Sequence, residues 1–151
     1  MSLYTIDVAP FKKQHLTYIA VSFIPMVIAY VLASRGYSML TDPTINEVIK
    51  WVFLAGTFVA SFIVTRKHKE QLLSIHGLPS FDEQVAQYKK IYDQRLVVNV
   101  IIGITACILY VLTARRIFIL FALFDLVVLL VMFPNKNVFR RELNNNEITF
   151  K

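Results

Sequence analysis

The sequence predicts an all-α integral membrane protein with four transmembrane helices. They would form an antiparallel up-down bundle, with a cytoplasmic helical hairpin extending helices 2 and 3. Three observations predict this. Four apolar segments, 16–33, 48–65, 96–113 and 117–133, are each 17 or 18 residues long, close to the length at which a helix crosses the hydrocarbon core of a bilayer. In lipid every backbone N–H and C=O must be satisfied within the chain, so segments of this kind must be helices. The other 80 of the 151 residues lie in pieces of 15, 14, 30, 3 and 18, and none of these could bury an aqueous core of its own. A single transmembrane domain over residues 1–151 is expected.

Composition agrees. Hydrophobic residues make up 56 % and charged residues 17 % of the chain, a departure from soluble averages in the membrane direction. The net charge of +6 does not imply a nucleic acid. The basic residues sit at the ends of the apolar segments and in juxtamembrane stretches, as topology signals do, rather than along one face of a soluble domain. Contact with anionic lipid headgroups is the simpler consequence. Cys107, the only cysteine, lies inside the third apolar segment, so no intrachain disulfide or cysteine-based metal site can form. Segment 16–33 follows Lys12 and Lys13 and loosely resembles a signal peptide, but its 18 residues exceed the usual apolar core of one. It is read as a retained first span.

Each element has its local signals. Residues 1–15 carry Leu3, Tyr4, Ile6, Val8 and Phe11 among polar neighbours, a pattern of a short interfacial segment or a frayed tail. Pro25 frees the carbonyl of Val21 inside helix 1, and Gly36 is placed to end that helix. Thr44-Ile45-Asn46-Glu47 has the spacing of a capping box, with Thr44 as N-cap and Glu47 reaching back. Helix 2 is therefore expected from about Ile45, running past the membrane to Ile75 before Gly77 and Pro79. Ser80-Phe81-Asp82-Glu83 forms a second capping box, and helix 3 should run from about Phe81 to Thr113. The first half of helix 3 and the end of helix 2 make the hairpin over 66–95. Its apolar edge is formed by Leu72, Ile75, Val85, Tyr88 and Tyr92, which would contact one another and offer an interaction surface. Only Ala114, Arg115 and Arg116 separate helices 3 and 4, so those helices must be antiparallel neighbours. The tail over 134–151 is basic and Asn-rich and reads as surface-bound or mobile.

Positive charge sets the expected orientation. With four spans both termini share one side, and that side with the hairpin carries 12 Lys/Arg against four on the other, Arg35, Lys50, Arg115 and Arg116. The 12 belong in the cytoplasm. A bacterial inner membrane with both termini cytoplasmic is the expected location.

Asp125 is the sharpest signal. A carboxylate mid-span costs at least about 2.5–3.5 kcal/mol and marks a functional hypothesis by default. One use is proton-coupled transport, because desolvation favours a neutral acid that can still ionise. The other is helix glue, worth about 0.6–2 kcal/mol. Asp125 and Thr57 each lie eight residues from the inner end of their segments, and Gly103 lies seven, so the three could share one level, with Ser22 within about one turn. Ser61 and Asn99 share another level. On helix 3, Tyr92, Arg95, Asn99, Gly103, Ala106, Tyr110 and Thr113 fall on one face, which is small and polar as a close-packing face should be. The candidate intramembrane polar site is thus Asp125, Thr57, Ser61, Asn99 and Tyr110. Gly56-xxx-Ala60 fits the small-xxx-small pattern, within the bundle or between subunits. Lys50 shares a face with Thr57 and Ser61 and should snorkel to the headgroups.

Catalytic chemistry is missing from the sequence. There is no Walker loop, GxGxxG, GxSxG, CxxC or HExxH, and His15, His68 and His76 lack metal-ligand spacing. No catalytic, cofactor-binding or metal-binding residue is expected, and no cofactor. The size and span count are like those of small transporters and of membrane-associated glutathione-transferase-type proteins. The arginine-rich motifs of the latter are missing, and architectural likeness carries no function. The expected function is non-enzymatic: a subunit or interaction module of a membrane assembly. The alternative is a small homo-oligomeric transporter or channel using Asp125. The expected partners are the lipid bilayer and either further copies of the chain or another membrane protein.

Overall fold

The structure is a computed structural model that describes residues 5–144 and 148–150. Among these residues it is all-α apart from two short strands. Five helices run α1 Ala9–Ser34, α2 Pro43–Ile75, α3 Phe81–Thr113, α4 Arg116–Val131 and α5 Lys136–Glu142. A two-residue parallel pair, β1 Thr5–Ile6 and β2 Thr149–Phe150, joins the two ends of the chain, with Thr5 opposite Thr149 and Ile6 opposite Phe150.

Three helices, α1, α2 and α3, are long and apolar enough to cross a bilayer. Their 18-residue windows have mean hydropathies of 2.1, 1.9 and 2.4. This is the composition of a multi-pass integral membrane protein in contact with lipid. α4, at 16 residues, meets the same test only together with α5, from which it is bent by 82°. Pro134 and Asn135 cause the break. Asn135 caps α5, its Oδ1 accepting from the Val138 N–H at 2.9 Å.

The helix ends follow local chemistry, with two departures from expectation. α2 begins at Pro43 rather than near Ile45, and its cap is Asp42, whose carboxylate accepts from the N–H groups of Thr44 and Ile45 at 2.8 and 3.2 Å. Proline suits the first helical position because its missing N–H would be unpaired there anyway. Glu47 does not reach back to Thr44. It pairs with Lys50 at 2.5 Å and with Arg115. Ser80 stands at the start of α3, but its side chain makes no cap hydrogen bond. Asp82 and Glu83 in the first turn still complement the positive end of the helix dipole. Gly36 follows α1 in the left-handed conformation, φ +81°, where glycine has no Cβ penalty. Ala114 turns the chain between α3 and α4 at φ 51°.

α3 is the axis of the molecule. α1 and α4 pack on it most extensively and also touch each other, while α2 packs chiefly on α3. Contacts fix the directions. Along α4 and its C-cap, Met132, Asp125 and Phe118 meet Asn99, Gly103 and the neighbourhood of Tyr110 in reverse order along α3. On α1, His15 meets Tyr92 and Ala29 packs with Ala106 and Cys107, in the same order. On α2, Gln71 meets Gln94.

Two apolar clusters result. One gathers Ala29, Ala106, Cys107, Tyr110, Phe118 and Ala122 at the α3–α4 turn end. The other lies at the opposite end and differs from expectation. Residues 5–11 are neither frayed nor separate, and the described part of the tail is packed. Ile6, Val8 and Phe11 join Phe139, Leu143 and Ile148 around Ile75, Tyr88, Ile91 and Tyr92. The rings interlock: Phe139 lies 5.0 Å from Phe11 and 5.5 Å from Tyr88 between centroids. The hairpin's apolar edge is large enough to bind a cover, and the chain's own ends supply it. Phe139→Ala should therefore destabilise the protein by about 3–5 kcal/mol, the usual cost of emptying a buried aromatic site. Thermal unfolding in detergent checks this, and a change within about 0.5 kcal/mol, as for an ordinary surface position, would show that the tail is not part of the core.

Candidate functional site

The polar level inside the helices is built from three elements. Asp125 on α4 is buried at 7 % exposure and faces Gly103 on α3. The approach is close: a Cβ on Gly103 would stand 2.7 Å from Asp125 Oδ2, inside any normal contact. Glycine at 103 is thus the residue that lets the carboxyl fit. Ser22 on α1 is also buried. Neither Asp125 Oδ2 nor Ser22 Oγ has a hydrogen-bond partner among the described residues. Along each helix this level falls between the two apolar clusters. Ser22 lies between Phe11 and Ala29, Gly103 between Val100 and Ala106, and Asp125 between Ala122 and Leu129.

The other four candidate residues do not converge on Asp125. Tyr110 is buried in the apolar cluster near the α3–α4 turn. Asn99 is half-buried, and its Nδ2 meets the Met132 sulfur at 3.3 Å, a weak acceptor. Thr57 is half-buried on α2, and Ser61 is exposed. α2 joins the α1–α3–α4 group through Phe53, whose ring lies 5.6 and 5.7 Å from those of Phe118 and Phe121, and Asp125 Oδ2 finds no hydrogen-bond partner on Thr57 or Ser61. Depth counted along each span correctly relates α3 to α4, but it cannot tell which helices are adjacent. Lys50 pairs with Glu47 and stands 5.0 Å over the Trp51 ring.

The hairpin residues are covered. Ile75, Tyr88 and Tyr92 are buried, and Leu72 and Val85 pack against the same cluster. Their cover is the chain's own N- and C-terminal segments, so these five do not form a free surface.

Around them lies a polar junction that sequence reasoning missed. Glu142 on α5 is its centre, with a side chain 9 % exposed. The Tyr88 hydroxyl donates to it at 2.7 Å, and His68, Arg141 and Arg95 stand at 3.8, 3.9 and 4.0 Å. Burial pushes the Glu142 carboxyl up, but the nearby His68, the hydrogen bond from Tyr88 and the charge of Arg95 outweigh it and hold it below its ordinary value. Burial, then the adjacent Glu142, pushes the Tyr88 phenol up, so it stays a donor. α1 docks by a second set. Gln14 and the Tyr18 hydroxyl both donate to Asp93, the latter at 2.6 Å. His15 is fully buried, with Nε2 2.8 Å from the Leu129 carbonyl and Nδ1 2.5 Å from the Tyr92 hydroxyl. A carbonyl only accepts, so Nε2 carries the proton and Nδ1 accepts from Tyr92 in the neutral ring. One imidazole thereby links α1, α3 and α4. The spacing of Gln14 and Tyr18, four residues apart on one helix face, was the available signal. Glu142 had none, because it lies in a stretch that reads as a mobile tail.

Chemically, this set can hold helices together. No group of three or more His, Cys, Asp or Glu that could hold a metal occurs among the described residues.

Two outcomes follow. Gly103→Leu should cost about 1–3 kcal/mol by overpacking, and adding Asp125→Ala should restore part of it. Thermal unfolding of the single and double variants gives the coupling, and strictly additive losses would show that the two residues do not meet. Glu142 is held low, so its contribution is present above its ordinary value of 4.5 and is lost as pH falls through the lower folded value. Proteolysis of the C-terminal segment should accelerate between about pH 5 and about pH 3, and Glu142→Gln should flatten that response. An unchanged profile would remove Glu142 from the junction.

In comparisons with known proteins, no family model, no curated protein and no solved structure matches this chain.

Proposed function

We propose that this chain is a small polytopic membrane protein of non-enzymatic type, acting as a subunit or interaction module of a membrane assembly. It would cross the membrane four times as an up-down bundle, with α4 and its bent continuation as the fourth span. Both termini and the hairpin would lie on the cytoplasmic side of a bacterial inner membrane. The observation that carries the assembly reading is α2. No residue of its apolar window is buried, and Trp51, Val52, Phe58 and Phe62 are 64, 67, 75 and 64 % exposed. A Cβ on Gly56 would meet nothing within 4 Å, so the Gly56-xxx-Ala60 pair is not used for close packing against the described residues. Lipid tails give apolar helices no hydrophobic reason to associate, and small residues that admit a second helix are what association uses. α2 keeps such a pair on a face with no described neighbour.

Native mass spectrometry after gentle extraction from the host membrane tests this. The expected result is a stoichiometric foreign chain or a second copy, lost in Gly56→Leu while the helical circular dichroism stays unchanged. A wild-type monomer, or a complex indifferent to Gly56→Leu, contradicts it.

A second reading, a homo-oligomeric transporter or channel, is favoured by the buried Asp125 carboxyl with its unpartnered oxygen. Under it, Asp125→Asn keeps the oligomer and abolishes proton flux in proteoliposomes. If Asp125 only holds α3 to α4, Asn is tolerated, whereas Asp125→Leu weakens the bundle.

A further inference from the structure

α2 and α3 enclose a groove of about 500 Å³, within the usual size of a small-ligand site of about 300–1,000 Å³. Its position along the two helices is informative. Ile63, Val97 and Val98 line it from inside the apolar segments, and Lys67 and Arg95 line it from just outside them. One end of the groove is therefore hydrocarbon and the other is cationic, with the boundary where the spans leave the apolar stretch. Gln71 and Gln94, whose side chains meet at 3.4 Å, flank the cationic end.

The charges at that end do not cancel. Asp93, which accepts from Gln14 and Tyr18 of α1, also lines the groove and offsets one of the two cations, Lys67 and Arg95, which leaves one positive charge in excess. Glu142 is engaged by Tyr88 and approached by His68, Arg95 and Arg141. Lys67 has no ion pair or hydrogen bond among the described residues. His68 keeps a buried Nδ1 with no partner there as well. The groove thus presents an uncommitted ammonium beside a guanidinium, above an apolar floor. Basic pockets between membrane helices at the headgroup level are the chemistry that holds anionic lipid heads.

We infer that the α2–α3 groove binds one phospholipid with an anionic headgroup, its phosphate at Lys67 and Arg95 and an acyl chain along Ile63, Val97 and Val98. This rests on the membrane reading above. It also gives a reason why α2 makes so little contact with the rest of the molecule: lipid, rather than protein, fills the space on this side of α3.

The test uses the full chain, purified in mild detergent and titrated with phosphatidylglycerol or phosphatidylcholine under native mass spectrometry. One phosphatidylglycerol per chain is expected in preference to phosphatidylcholine. Lys67→Gln should weaken its retention about fivefold, the worth of one basic residue at a lipid surface. Lys69→Gln, on the same helix but outside the groove, should leave it within about twofold. Glycerol phosphate, which lacks acyl chains, should not displace the lipid. Equal retention of both lipids, equal effects of the two lysine variants, or displacement by glycerol phosphate overturns the proposal. Alkaline carbonate extraction of the wild type separates the two failures. A chain that washes off the membrane fails the membrane reading, and one that stays but shows no lipid preference fails the groove alone.

Discussion

A helix surrounded by hydrocarbon satisfies its own main chain and leaves only its side chains to find neighbours. The packing of this molecule therefore depends on which helix offers a surface that others can approach, and α3 is that helix. Its small and polar face, running through Asn99, Gly103, Ala106 and Tyr110, receives α4, and its flank receives α1. At Gly103 the missing side chain makes room for Asp125. α1 and α4 take their places because α3 admits them, and the His15 ring then ties all three at the end of the spans.

Beyond the spans the logic changes from small residues to aromatics and ions. The hairpin extends α2 and α3 past the apolar stretch and would leave Tyr88, Ile91 and Tyr92 wet. The ends of the chain cover them instead: Phe11 from one side, Phe139 and Ile148 from the other, with the strand pair joining the two ends. Burying Phe139 brings Glu142 in with it. A buried carboxylate needs partners, and Tyr88, His68 and Arg95 provide them. The short helix α5, bent sharply from α4 at Pro134 and Asn135, is what places these groups.

Much of the architecture is legible in the residues. Apolar runs and turn signals define α2, α3 and the α3–α4 turn closely, because hydropathy and Gly/Pro punctuation are local properties. The Asp125–Gly103 pairing is legible as well, since both lie at one depth on helices joined by a three-residue turn. The lateral placement of α2 is not. Depth matching puts Thr57 and Ser61 at levels with Asp125 and Asn99, yet lateral placement depends on which faces pack, and no single span encodes that. The tail's role is equally hidden. Its Phe139, Leu143 and Ile148 are scattered among Asn and basic residues, and only the exposed aromatic edge of the hairpin, far away in sequence, gives them something to cover.

The central claim is that α1 to α4 thread a bilayer in alternation and leave the hairpin and both ends together. Side-specific labelling of single cysteines in intact cells, in a Cys107→Ser background, tests it most directly. Reporters at Lys69, Lys89 and Arg141 should react only after the membrane is opened, and those at Tyr37 and Arg116 should react in intact cells. Labelling of Lys69 and Tyr37 from the same side would contradict the account, because α2 would then not cross.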